Sequence, residues 1–213
     1  MKPFIEVYQY NFIKMQVQNL INGYATANDE DVKHAVKSMA VERVLHLFPS
    51  MNEEQKLLLQ PIETINGDKE KGEAYLTQLI SYVVPFNITE QSIKKLFPKV
   101  KKLKAPALDK IDLRELSYLS WIDLNTNKKF IVTRKDNKLV GLQGSFQLAN
   151  QKGICAICNH HEEVGLFLAK EKGNVQGTFT KRGNYICVDS EKCNQNITSL
   201  DKLHGLVERL TSR

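Results

Sequence analysis

The sequence predicts an α+β protein: an N-terminal antiparallel four-helix bundle, then an α/β domain with a small antiparallel sheet. Three observations carry this expectation. Apolar residues recur at helical spacing through residues 1–83. From Ser117 onward the apolar period becomes that of strands. All four cysteines (Cys155, Cys158, Cys187 and Cys193) lie close together near the C-terminus.

The first helix is expected over residues 4–25, with Ile5, Tyr8, Phe12 and Met15 as one stripe and Ile13, Val17, Leu20, Ile21 and Tyr24 broadening it. Asn28 can cap the second, whose first turn holds Asp29, Glu30 and Asp31 where the helix dipole favours negative charge. Val32, Val36, Ala40, Val44, Leu47 and Phe48 should face inward, and Pro49 stops the helix. Ser50-Met51-Asn52-Glu53 has capping-box spacing and opens a third helix with Leu57, Leu58 and Leu59. After a turn at Asn66-Gly67-Asp68, a fourth helix carries Tyr75, Leu76, Leu79, Ile80 and Val83. His34 and His46 stand isolated, with no ligand pattern around them.

Thr89 can cap a helix that ends at Pro98. The lysine-rich Lys99-Val100-Lys101-Lys102-Leu103-Lys104 that follows reads equally as a charged edge strand or as a basic arm for an anionic partner. Residues 105–116 carry no clear signal. Three strands should then form a meander: Tyr118 to Ile122, Lys129 to Arg134, and Leu139 to Phe146. Trp121 reads as a core anchor. A further hairpin is expected from Val164 to Lys170 and from Gly177 to Cys187, turning at Glu171-Lys172-Gly173-Asn174. Thr198 can cap a last helix carrying Leu203, Leu206, Val207 and Leu210.

Charge divides the chain in the same place as periodicity. Residues 1–83 hold 8 Lys/Arg and 11 Asp/Glu, a net of −3, whereas residues 84–213 hold 22 and 13, a net of +9. Two modules follow, 1–83 and 84–213, the second suited to an anionic partner. No apolar run approaches the roughly 20 residues that span a membrane, and the N-terminus lacks an apolar export signal. A cytoplasmic location is expected, and there clustered cysteines bind metal more readily than they form disulfides.

Cys155 and Cys158 form C-x2-C, Cys187 and Cys193 form C-x5-C, and 28 residues separate the pairs. Asn159 and Asn194 follow the pairs, as at sharp turns. A hairpin between the pairs returns the second to the first, so four thiolates can share one tetrahedral zinc. Thiolate knuckle, hairpin, second pair and helix make a treble-clef-like zinc finger, with C-x5-C as a variant of the usual spacing. His160 and His161 compete as ligands, but four cysteines suffice. Four thiolates leave no open position, so the expected zinc is single and structural, and no catalytic residue or enzymatic constellation appears. The tethered loops contain Ile154, Lys181, Arg182 and Tyr185. They suit a protein-binding hot spot or RNA binding by stacking and phosphate contact; Tyr185 packing beneath the metal is the third reading.

The chain resembles the FusB/FusC-type fusidic acid resistance proteins over essentially its full length. The resemblance rests on Tyr8-Gln9-Tyr10-Asn11, Tyr82-Val83-Val84-Pro85-Phe86, Lys101-Lys102-Leu103-Lys104, Trp121, Gly153-Ile154-Cys155-Ala156-Ile157-Cys158-Asn159, and Tyr185-Ile186-Cys187-Val188-Asp189-Ser190 with Cys193-Asn194. It implies a helical N-terminal domain and a C-terminal four-cysteine zinc domain that binds elongation factor G. It further implies release of that factor from ribosomes stalled by fusidic acid, which is protection of the target and not modification of the drug. A monomer touching the ribosome only indirectly is expected, with direct RNA contact left open. Carried over residue by residue, the contact candidates are Ile154, Arg182, Tyr185 and Leu206. The family pattern has an aromatic at the positions of Ile154 and Leu206, and lysine at that of Arg182.

Overall fold

The computed structural model describes residues 1–172 and 179–211, without the side chains of 170–172 and 179–181. The chain divides into two compact units, Met1–Val84 and Pro85–Arg213. No helix among the described residues is long and apolar enough to cross a membrane.

The first unit contains α1 (Val7–Thr26), α2 (Glu30–His46), α3 (Glu53–Leu59), a 3-10 turn at Gln60–Thr64, and α4 (Lys69–Ile80). Each start has a local cause. Glu6 and Gln9 form a reciprocal capping box at α1, and Asn52 and Gln55 form another at α3. Asp29 caps α2, one residue beyond the expected Asn28, and Asp68 caps α4. The helices are unequal, with 20 residues in α1 and 7 in α3.

The face α1 buries differs from the first stripe expected. Val7, Ile13, Val17 and Leu20 are buried, whereas Met15 is exposed. The buried face also takes in Gln9, Asn11 and Gln16, which apolar periodicity cannot register. A buried amide is tolerated when bonded, and the Gln9 Nε2 donates to the Leu47 carbonyl at 2.9 Å. In α2 only Ala40 and Val44 are buried, and Val32 is exposed. Around α1 cluster Leu58, Leu59, Ile62, Ile65, Tyr75, Leu79 and Val83. The unit is closed at its ends: Ile5 bridges Val83, and the Val84 amide donates to the Ile5 carbonyl at 2.8 Å.

The second unit opens with α5 (Glu90–Leu96), capped by Thr89 and Ser92. The lysine stretch after it forms turns and not a strand, with Val100 and Leu103 packed inward. Two 3-10 turns, Leu108–Lys110 and Leu113–Glu115, fill the stretch that had no sequence signal. Five strands follow in one antiparallel meander: β1 (Tyr118–Asp123), β2 (Lys128–Lys135), β3 (Lys138–Ile154), β4 (His161–Lys172) and β5 (Phe179–Cys187). Asp136 and Asn137 both take positive φ, as a two-residue type I′ hairpin requires. Of the turn expected between β4 and β5, Gly173-Asn174 lies outside the described residues, as does Gly177.

β3 is twice as long as expected. It runs 17 residues, from that hairpin to the first cysteine pair, with a register shift between Leu148 and Gln151. Gly144 within it does not end the strand; a Cβ there would strike the Leu168 carbonyl of β4, so glycine permits the close pairing. One sheet face carries Leu119, Phe130 and Val132 against Phe97, Phe86 and Ile93. Trp121 stacks on Phe130 with centroids 5.0 Å apart, as a core anchor should.

Two helices complete the unit. α6 (Ser190–Asn196) begins between the last two cysteines and was not expected. α7 (Asp201–Thr211) buries Leu203, Leu206, Val207 and Leu210. The Asp201 amide bonds the Ser199 hydroxyl at 3.2 Å, so Ser199 and not Thr198 stands at its start.

Candidate metal centre

The first cysteine pair lies in the turn joining β3 to β4. Asn159, at φ +60°, reverses the chain, and its amide bonds the Cys155 carbonyl at 2.9 Å. The Cys155 amide bonds the His160 carbonyl at 3.0 Å, closing the knuckle. Cys187 ends β5, and Cys193 lies in the first turn of α6. Asp189 accepts from the Glu191 and Lys192 amides, so α6 starts immediately after the strand. The five-residue gap is therefore one bend residue, one cap and the first three helical residues, which explains the departure from C-x2-C.

All four sulfurs lie within 4.8 Å of one another and are buried. Cys155 and Cys193 are 3.8 Å apart, Cys158 and Cys187 3.7 Å. A tetrahedron with sulfur about 2.3 Å from its centre has edges of about 3.8 Å, so one zinc fits. The cysteines are free, and the spacing is far above the roughly 2.05 Å of a disulfide. Among the described residues this is the one group of three or more ligating side chains. His160 turns its Nδ1 to the Cys158 carbonyl at 2.8 Å, away from ligation.

The surroundings suit thiolates. The Ile157 and Cys187 amides each donate to the Cys155 sulfur at 3.3 Å. Without metal the four thiols share one hydrogen-bonded set. Hydrogen bonds from Cys158, Cys187 and Cys193 pull Cys155 far down; bonds to Cys155, Cys158 and Cys187, and then burial, push Cys193 far up. Burial first, then the charge and hydrogen bond of Cys193, push the Tyr118 hydroxyl well above its ordinary value. It therefore remains a neutral donor beside the sulfur.

Lys129 is the residue the sequence reading missed. It is 1% exposed, and its Nζ donates to the Cys187 carbonyl at 3.1 Å and the Val188 carbonyl at 3.2 Å. The Phe146 ring lies 4.4 Å away. None of these contacts is an anion. Burial lowers its pKa, while Cys193, Cys187 and Cys155 draw it back up. Zinc with four thiolates carries a net charge of −2, and a buried ammonium beside it offsets half of that. Strand alternation could have found it: Lys129 shares a face with Ile131 and Thr133, both buried.

Asn194 also departs from expectation. It is not a turn residue. It is 1% exposed within α6; its Oδ1 accepts from the Ser117 and Tyr118 amides at 2.8 and 3.1 Å, and its Nδ2 donates to the Tyr118 carbonyl at 3.0 Å. The residue after the fourth cysteine thus clamps α6 to β1.

The surface residues divide. Ile154 is 59% exposed directly before the knuckle, and Tyr185 is 47% exposed on β5. The Ala156 amide bonds the Tyr185 carbonyl at 2.8 Å, so knuckle and strand hold the two in one rigid frame. Tyr185 does not pack beneath the metal. Arg182 is exposed, and its Nη1 donates to the Arg209 carbonyl at 2.9 Å, tying β5 to the last turn of α7. Leu206 is fully buried in the α7 stripe. That corrects its expected place among the contact residues: a side chain with no exposed surface touches no partner. The Lys181 side chain lies outside the described residues.

Residues 4–87 match the family described as elongation factor G-binding protein, N-terminal, and residues 94–211 match the FBP C-terminal treble-clef zinc-finger. A solved structure titled as that of the fusidic acid resistance protein FusC is similar to this chain at 35% identity and a TM-score of 0.87, covering 98% of each chain. No curated protein sequence matches significantly. Two family matches across the chain, a full-length structural likeness and a four-cysteine cluster of the right dimensions agree: the chain belongs to the elongation factor G-binding proteins with an FBP treble-clef zinc finger.

Proposed function

We propose that this protein binds elongation factor G and protects it from fusidic acid, promoting its release from stalled ribosomes. The observation that carries this is the likeness to FusC over 98% of both chains. Cys155, Cys158, Cys187 and Cys193 are the proposed ligands of one structural zinc. Four thiolates complete the coordination, so the metal mounts a surface and carries no chemistry, and the protein acts without catalysis. Ile154 and Tyr185 are the proposed contacts, flanked by Arg182 and Lys181. A half-exposed tyrosine and a half-exposed isoleucine on a frame held by metal pay little conformational entropy on binding. Residues 84–213 are the proposed binding domain, acting as a monomer in the cytoplasm, where ribosomes are.

Release by binding follows from population shift. A ligand moves an equilibrium only by its difference in affinity for the two states. The protein must therefore prefer the factor in a conformation that the ribosome holds weakly. The direct test is calorimetry with purified elongation factor G and no ribosomes. A one-to-one complex is expected, weakened about 30-fold or more by Tyr185→Ala, a hot-spot loss of about 2 kcal/mol. Zinc content and unfolding should stay as in the wild type. Absence of a complex would overturn the proposal, and loss of zinc in the variant would make Tyr185 structural.

A further inference from the structure

A second surface stands apart from the zinc centre in the sequence and carries a different chemistry. Between residues 94 and 104 there are six lysines and no acidic residue: Lys94, Lys95, Lys99, Lys101, Lys102 and Lys104. All six are exposed. Only Lys94 has a carboxylate near it, Glu90 one turn back at 3.9 Å, and both side chains of that pair are well exposed. The other five have no ion pair among the described residues.

The stretch is not a loose arm. The Val100 amide bonds the Phe97 carbonyl at 3.0 Å. Leu96, Val100, Leu103 and Ala105 pack against the core formed by Phe86, Ile93, Phe97 and Phe130. The apolar residues hold the backbone down, and the lysines between them point outward. Residues 99–104 can span at most about 20 Å, so neighbouring ammonium groups lie within one or two screening lengths and act as one positive field. Four like charges this close repel each other, and a multivalent anion removes that cost.

We propose that this lysine ledge binds the phosphate backbone of double-stranded RNA. Its composition argues against an acidic protein. Protein interfaces are depleted in lysine and anchored by exposed Tyr, Trp or Arg. Residues 94–104 contain no tyrosine, tryptophan or arginine, and their one aromatic, Phe97, is buried. Single-stranded RNA is also disfavoured, because stacking on exposed aromatics is what holds unpaired bases. Lysine acts as a compact point charge that contacts phosphate without reading sequence. The choice of RNA over DNA rests on the proposed function, which brings the protein to the ribosome; the ledge itself does not.

The test is fluorescence anisotropy with a labelled 20-base-pair RNA hairpin and a single-stranded RNA of equal length, from 50 to 200 mM KCl. The duplex should bind more tightly, and log K should fall against log salt with a slope of about −3.5 to −4.5 if four or five phosphates are neutralised. Changing Lys95, Lys99, Lys101, Lys102 and Lys104 together to glutamine should reduce duplex affinity at least tenfold at 50 mM and flatten the slope by about 3. All five are exposed, so circular dichroism should match the wild type. The same variant should bind elongation factor G within about threefold of wild type, which keeps this test separate from the one above. Unchanged duplex affinity in the variant, no duplex binding at 50 mM, or preferential binding of poly-glutamate would each overturn the proposal.

Discussion

The two units keep polar groups in their interiors by different means. In the helical unit the buried polar residues of α1 are neutral amides, Gln9, Asn11 and Gln16, set among aliphatic side chains. The second unit also buries an amide, Asn194, and each unit buries a tyrosine hydroxyl, Tyr75 and Tyr118, but only the second adds four thiols and a lysine. A neutral amide needs only hydrogen bonds. An ammonium and four thiolates need each other and a cation between them. The first unit therefore stands on burial alone, whereas one end of the second stands on a metal.

The largest test of that contrast is Cys193→Ser. The cluster would lose one corner and α6 its anchor. Structural zinc contributes about 10–16 kcal/mol in finger peptides, so even a fraction of that should lower the unfolding of the second unit by at least about 10 °C. The transition of the helical unit should not move. A chelator should reproduce the effect in the wild type, and so should acid, because thiolates must be deprotonated to bind metal. A scan in which both units shift together would break the comparison.

A smaller effect is expected from Leu206→Ala. The buried leucine should cost about 2–5 kcal/mol of the second unit's stability, through lost burial and the cavity left behind. Below its melting temperature the variant should bind elongation factor G as the wild type does. A selective binding loss in a stable variant would return Leu206 to the surface. Smallest is Lys129→Met. Methionine can fill the same passage beside Phe146 but leaves the Cys187 and Val188 carbonyls without the Nζ donor, so the second unit should lose about 1–3 kcal/mol of stability. Zinc transfer to a competing chelator should speed up about tenfold as the offsetting charge is lost. Unaltered transfer would show the lysine to be a packing element only.

Much of the metal centre was legible in the sequence because spacing alone constrains it. Two close pairs joined by a hairpin can hardly avoid meeting, and Tyr185 and Ile154 lie beside them in the chain. Surface placement was harder. Leu206 belongs to an apolar helical stripe that marks core, and that signal proved stronger than the resemblance that placed it on a surface. Lys129 and Asn194 were missed because long-range packing decides their burial, and their residue types most often mark solvent or a turn. α6 was missed for a related reason: 7 residues, mostly polar, have no apolar period to read. In the helical unit the elements were legible and Ile13, Val17 and Leu20 of the expected α1 face are buried, but the three amides beside them left no apolar signal.

The clamp from Asn194 to β1 has a consequence for synthesis. Its partners, Ser117 and Tyr118, precede it by 77 and 76 residues. Translation proceeds from the N-terminus at roughly 5–20 residues per second, so β1 waits several seconds or more before the side chain that fixes it is made. The helical unit waits as long within itself, since its closing contact joins Ile5 to Val83, but that contact is complete before the second unit has begun to appear. The nascent protein thus carries one finished unit and one open sheet, and the sheet is sealed only when the last helices leave the ribosome.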